Sequence, residues 1–177
     1  NRAPDYSVAD TDWGTSYGAY RLEENGSMSW RIANFVFPFW TQAPNSDFLT
    51  NVGVRAWVPM DDEHTMVVLI SWKKSPGAYT GMPLKNGKAI PGFAPNIDYL
   101  PNTNDWYGRW RPVARWENDY EIDRDAQRQN IIYSGIKMVF MQDQAVTESM
   151  GGITDHAFEH LVSSDQMIAR TRRRVLK

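Results

Sequence analysis

Two apolar runs, "NVGVRAWVP" over 51–59 and "TMVVLISWK" over 65–73, flank the polar turn "PMDDEH". So short a connection predicts antiparallel neighbours, because parallel strands need a crossover of a dozen or more residues. In the first run Val52, Val54, Ala56 and Val58 recur at every second position. That is the period of a strand with one face turned inward. Residues 29–40, "SWRIANFVFPFW", predict a further strand that is apolar on both faces. Trp30, Ile32 and Val36 lie on one face, and Phe35, Phe37 and Phe39 on the other. Such a strand is covered on both sides or closes over a cavity. Pro38 has no N–H to give to a ladder, so the strand bends there or sits at an edge. "SYGAYRL" over 16–22 predicts one more strand, ending in the turn "EENGS".

The last third reads as helices. "ENDYEIDRDAQRQN" over 117–130 is polar nearly all round and can bury only Tyr120, Ile122 and Ala126. A short helix is expected over 143–150. A third is expected over 164–176, with Ser163 as its N-cap and Gln166 three residues on. Met167, Ile168, Thr171 and Val175 would form its inward stripe. Arg170, Arg172, Arg173 and Arg174 crowd its C-terminal end, where the helix dipole favours cations. A sheet followed by helices is an α+β arrangement. Between them, 74–112 is rich in Gly and Pro and carries Tyr79, Phe93, Tyr99, Trp106, Tyr107 and Trp110. That aromatic content favours a packed arm over a solvated linker. The 177 residues suffice for one domain with a core.

Composition removes several chemistries. Without Cys the chain has no disulfide, no thiolate nucleophile, no zinc–thiolate site and no cysteine-ligated iron–sulfur cluster of its own. A net charge of -2 gives no field that would recruit nucleic acid or a membrane surface. No apolar run reaches the length of a bilayer span, and no charged leader with an apolar stretch predicts a signal peptide. There is no G-x-S-x-G, phosphate loop or dinucleotide fingerprint. The carboxylate pairs Asp61/Asp62 and Asp123/Asp125 fall in a turn and on the polar helix. His64 follows a turn and is expected exposed. His156 and His160, four apart in "DHAFEH", have chelating spacing but not the order of a zinc-protease helix. A partly exposed pair in a connector is the favoured reading of them.

Asp143 is different. In "MQDQAVTESMGG", 141–152, a helix would put Asp143 on one face with Val146, Thr147 and Met150 and point Glu148 elsewhere. Asp143 is then either the N-cap of 144–150 or an acid aimed along an apolar side. An interior carboxylate needs a partner charge, a metal or strong hydrogen bonds. Both readings fit the residues.

"ENDYEIDRDAQR" and "GIKMVFMQDQAVTESMGGITDHAFEHLVSSDQMIARTRRRVL" resemble the C-terminal end of the large subunit of Rieske-type aromatic ring-hydroxylating oxygenases. The similarity is to the phthalate dioxygenase-like group, and "VADTDWGTSYGAYR" and "VPMDDEHTMVVLISW" extend it over the whole chain. The resemblance implies a helix-grip fold (START/Bet v 1-like), incomplete at its N-terminus, with 1–177 forming the C-terminal part of one catalytic domain. It implies a mononuclear Fe(II) held by two His and a carboxylate, a facial triad with positions open to dioxygen. The carboxylate would be Asp143, at the start of the family's D-x-x-x-x-E-S segment and facing the interior; the two His ligands would lie upstream. The [2Fe-2S] Rieske cluster would belong to a separate N-terminal domain, so no cofactor is expected to bind this chain alone stoichiometrically. Phe35, Phe37 and Trp57 become candidates for the substrate pocket. The implied partners are an aromatic, carboxylated small molecule, a reductase or ferredoxin, and further copies in a homotrimer or a multiple of it, in the cytoplasm. Nucleic acid and membrane are not among them. Apart from that resemblance, a non-catalytic helix-grip module binding an apolar small molecule would explain the two-sided apolar strands and aromatic arm.

Overall fold

The structure, a computed structural model, describes residues 3–44, 51–73 and 97–177. Residues 74–96, with Tyr79 and Phe93 of the expected arm, lie outside these. The chain divides into two compact units, Asn1–Ala78 with Asp155–Lys177, and Tyr79–Thr154.

The first unit is a six-stranded antiparallel sheet in sequence order: β1 Asp5–Thr11, β2 Gly14–Leu22, β3 Met28–Val36, β4 Trp40–Gln42, β5 Asn51–Pro59 and β6 Thr65–Lys73. The hairpin of β5 and β6 pairs Val52 with Trp72 through Val58 with Met66, as the short polar turn requires. The segment 29–40 is two strands, not one. It ends at Val36, turns through the cis Phe37–Pro38 peptide and resumes at Trp40, which pairs with Val36. β1 has no apolar period: its residues are mostly exposed. Its pairing with β2 across Asp12 and Trp13 makes it a strand, so local pattern could not disclose it. Gly14 closes that turn against β3, and a Cβ there would run into the Phe35 carbonyl.

Both sheet faces carry side chains, but differently. One face holds Tyr17, Thr15, Ala33, Phe35, Thr41, Arg55 and Trp57, by the pairings Tyr17–Ala33, Thr15–Phe35, Phe35–Thr41 and Thr41–Arg55. The opposite face holds Val52, Val54, Ala56 and Val58. Ala56 is fully buried there, between Trp40 and Val68 in register. On that face Ser16, Asn34 and Gln42 form a hydrogen-bonded ladder across three strands, at 2.5 and 2.6 Å. Trp30 is 53 % exposed and covered mainly by stacking on Tyr20 at 4.6 Å.

The C-terminal helix, α3 (Gln166–Val175), packs on the face of Thr15. Its inward stripe is the expected one only at Met167 and Thr171. Ile168 and Val175 are 45 % and 56 % exposed, while Met167, Arg170, Thr171 and Arg174 turn toward the sheet. Thr171 hydrogen-bonds Thr15. Arg170 donates to the Val8 carbonyl at 3.1 Å and pairs with Asp10 at 2.7 Å. Arg174 donates to the Gly14 carbonyl, and to that of Thr11 at 2.7 Å, with its guanidinium 4.9 Å from the Phe37 ring centre. The hairpin carbonyls supply acceptors that a Val or Ile could not use, so the polar stripe faces in. Ser163 does not cap this helix. It opens a 3-10 turn, Ser163–Asp165, and Asp165 accepts from the Val162 N–H at 2.9 Å. Arg174→Ala should therefore destabilise the folded protein by about 2 kcal/mol, through two lost charge-assisted bonds and the ring contact. Arg173→Ala, on an exposed residue, should stay within about 0.5 kcal/mol by urea denaturation.

The second unit centres on Tyr120, Ile136 and Met141, with Ile97, Ala114, Ile122, Met138, Phe140 and Ala145 packed around them. Residues 117–130 are not one helix. A 3-10 turn, Trp116–Glu121, is followed by α1, Arg124–Arg128, capped by Asp123 accepting from the Ala126 N–H. So polar a stretch has too narrow an apolar stripe to bury a continuous helix. Next comes α2, Val139–Glu148. Among the described residues no helix is long and apolar enough to cross a membrane.

Candidate functional site

Asp143 sits in the middle of α2, not at its cap; Met138 is the N-cap residue. Met141 is buried and Ala145 packs on the core, and these set the inward face. Asp143, Val146 and Thr147 occupy the outward face, with Val146 68 % and Met150 57 % exposed. The expected grouping holds for Asp143, Val146 and Thr147, while Met150 lies in the turn just past the end of α2; contrary to the expectation of an interior acid, that side is exposed. The Asp143 carbonyl accepts from the Thr147 hydroxyl at 2.8 Å. Its carboxylate has no hydrogen bond or ion pair among the described residues. A hard oxygen donor thus stands, among the described residues, without a partner and beside exposed apolar side chains. Among the described residues no group of three or more His, Asp or Glu is placed to hold a metal ion. One donor fits a metal chemically, and the rest of a ligand set has to come from elsewhere.

On the inward side, Tyr120 is 5 % exposed and its hydroxyl donates to Glu148. Glu148 also accepts from Gln144 at 2.6 Å. Burial, and then the hydrogen bond to Glu148, push the Tyr120 phenol well above its usual range. Sequence reading counted Tyr120 only as buried surface. A Tyr among apolar positions, whose O–H needs an acceptor when buried, was the available signal.

The histidines belong to the first unit. His64 is exposed and faces Asp61 at 2.9 Å. His156 approaches Glu159 at 3.4 Å, whereas His160 turns to the Phe158 carbonyl at 2.9 Å. The two rings serve different partners. Glu159 also binds Arg172 of α3, which holds its carboxyl below the usual carboxylate range, with His156 adding to the effect. A depressed folded pKa contributes stability above the unfolded value and loses it as pH falls. The contact of the 156–159 turn with α3 should accordingly loosen below about pH 4.5, seen as the Glu159 carboxyl shift by NMR. Glu159→Gln should remove that acid step.

Phe35, Phe37 and Trp57 are all in the first unit. Phe35 and Trp57 share the face on which α3 lies. Phe37 meets Phe35 edge-on at 5.9 Å, beneath Arg174. The Trp57 indole N–H donates to the Thr41 hydroxyl at 3.0 Å. Farther along that face a groove of about 410 Å³ is lined by Tyr6, Tyr17, Ala19, Arg21, Arg31 and Pro44, among others. The rings of Tyr6 and Tyr17 lie 6.0 Å apart. Burial raises the Tyr17 phenol, as does Tyr6, and Arg31 opposes them. Arg21 is occupied by Glu23 at 2.8 Å. Arg31 has no such partner among the described residues, so the groove offers one available guanidinium flanked by phenol rings. A larger space of about 660 Å³ at the far hairpin end includes Asp5, Glu23 and Glu24 in its lining and repels anions. Arg31 lies within a run dominated by apolar residues, where its polarity on the Phe35 face was the only sequence signal.

The comparisons with known proteins place these features. Residues 1–177 match the family described as LigXa C-terminal domain like. The chain belongs to the LigXa C-terminal domain-like family. It is 47 % identical over 176 residues to the 3-chlorobenzoate-3,4-dioxygenase oxygenase subunit of Comamonas testosteroni, covering 99 % of this chain and 41 % of that protein. It is 26 % identical over 191 aligned residues to the phthalate 4,5-dioxygenase oxygenase subunit of Pseudomonas putida, covering 99 % of this chain and 38 % of that protein. The chain thus spans about two fifths of the length of these curated relatives. The resemblance read from the "QDQAVTESMG" and "SDQMIARTRRRVL" segments is borne out. The antiparallel sheet with C-terminal helices is the α+β architecture expected for a LigXa C-terminal domain-like chain, and is consistent with a helix grip.

Proposed function

We propose that this chain is part of an oxygenase subunit that hydroxylates an aromatic carboxylate with dioxygen at a mononuclear Fe(II). The observation that carries the reading is whole-chain identity of 47 % to a subunit whose name specifies 3-chlorobenzoate. In this reading Asp143 supplies the carboxylate ligand, and two His from residues outside this chain complete the set. Its carboxylate has no partner among the described residues, which is compatible with that role. Bound iron would supply coordination positions open to dioxygen. Phe35, Phe37 and Trp57 line the substrate side of the sheet, and Arg31 pairs with the substrate carboxylate. Both relatives' names specify aromatic acids, and a guanidinium with phenol rings on either side suits such a molecule in charge and shape. Electrons would pass from a reductase or ferredoxin to a Rieske [2Fe-2S] cluster in a separate N-terminal domain and on to the iron, in a homotrimer or a multiple of it, in the cytoplasm.

A second reading, a non-catalytic helix-grip module, is favoured by the groove itself, which requires no metal. One experiment separates them. The full-length subunit is assayed with its reductase for mononuclear iron and for hydroxylated product from 3-chlorobenzoate. Stoichiometric iron and oxygen incorporation support the oxygenase. A metal-free protein that binds the acid without turnover supports the module.

A further inference from the structure

α2 has two unlike sides. Met141 and Ala145 face the core, and Glu148, seven residues after Met141, falls on the same side. Asp143 precedes Glu148 by five residues, roughly 140° around the helix at about 100° per residue. A bond made by Glu148 therefore acts across the axis from Asp143. That bond is made by a buried group: the Tyr120 hydroxyl donates to one carboxylate oxygen, and Gln144 donates to the other at 2.6 Å. The turn that delivers Tyr120 is unusual. Asp119, Tyr120 and Glu121 are consecutive non-glycine residues with φ of 53°, 53° and 54°. This left-handed region is sterically unfavourable for L-residues and persists where surrounding structure over-determines it, often at functional sites.

We propose that Tyr120 and Glu148 are positioning residues that fix the rotation of α2 about its axis, and through it the location of the Asp143 carboxylate as an iron ligand. The proposal rests on the reading of Asp143 as that ligand. Apolar contacts at Met141 and Ala145 are non-directional, whereas a hydrogen bond weakens steeply as it bends. A carboxylate stands about 5–6 Å from a helix axis. A rotation of about 20° would carry it about 2 Å, as far as a metal–oxygen bond is long.

The test uses the full-length subunit. Tyr120→Phe keeps the ring and removes the donor; Glu148→Ala removes the acceptor from an exposed side chain and serves if the first variant folds poorly. Iron affinity is measured by chelator competition, and ligand geometry by the EPR signal of the nitric oxide adduct. Both variants should bind iron about 10–100-fold more weakly, the usual cost of losing an orienting partner, with a more heterogeneous signal. Glu148→Gln, which keeps an acceptor for Tyr120, should lie within about threefold of wild type by the same reasoning. Wild-type iron affinity and signal in Tyr120→Phe and Glu148→Ala, whatever their melting temperatures, would overturn the proposal while leaving Asp143 as ligand, provided Asp143→Ala loses iron. If Asp143→Ala keeps its iron, the ligand reading itself fails and the positioning role with it.

Discussion

Asp143→Ala in the full-length subunit should lose its mononuclear iron and at least about 1000-fold of its hydroxylation rate, more than the 10–100-fold expected for an orienting partner. The melting temperature of the metal-free variant should match that of the metal-free wild type. Asp143 is exposed, its carboxylate makes no bond among the described residues, and its helix is held from the other side by Met141 and Ala145. Surface substitutions of that kind stay within about 0.5 kcal/mol. The combination is the informative part: a large functional loss without a stability loss separates a ligand from a structural acid. Asp143→Glu keeps the charge but extends the arm by one methylene, so iron should bind weakly and turnover should fall about 100-fold, as for a displacement of about 1 Å. The proposed Rieske cluster should remain at full occupancy in both variants. Iron retained at wild-type stoichiometry in Asp143→Ala would refute the assignment.

If the proposed role holds, Arg31→Leu should raise KM for the aromatic carboxylate, with 3-chlorobenzoate as the test acid, by roughly 10–100-fold and leave kcat much less affected. A hydrogen bond to a charged group contributes about 1.5–3 kcal/mol, and uniform binding of this kind appears in KM. The decisive comparison is with a neutral analogue, such as the corresponding benzamide, whose KM should be nearly the same in both proteins. Arg31→Lys should recover part of the affinity, since it keeps the charge but not the bidentate fork. Equal losses on the acid and the amide would show that Arg31 acts through packing of the groove, and the charge role would be withdrawn. The position makes that control necessary, because the aliphatic stem of Arg31 lies beside Ala19 in register on β2.

The sheet was readable because strand periodicity and turn length are local. The 51–73 hairpin and the strand over 16–22 follow from alternation and from a turn too short for a crossover. β1 escaped because an edge strand with mostly exposed residues has no apolar period, and the break at Phe37–Pro38 was legible as a bend but not as two strands. On α3 the heptad-like Ile168 and Val175 misled. Which stripe turns inward was settled by acceptors on the β1–β2 hairpin, more than 150 residues away in the chain, and no local pattern encodes them. The same holds for Tyr120, whose acceptor is 28 residues on.

By itself the sequence determined an antiparallel α+β sheet and, through its motifs, family membership, since both are carried by residue types at short spacings. It also placed Asp143 with Val146 and Thr147 on one helix face, since 3.6 residues per turn fixes that. Whether the face is turned in or out was decided only by tertiary packing. The core of Tyr120, Ile136 and Met141 claims the other side of α2, and a helix can bury only the side for which a complementary surface exists.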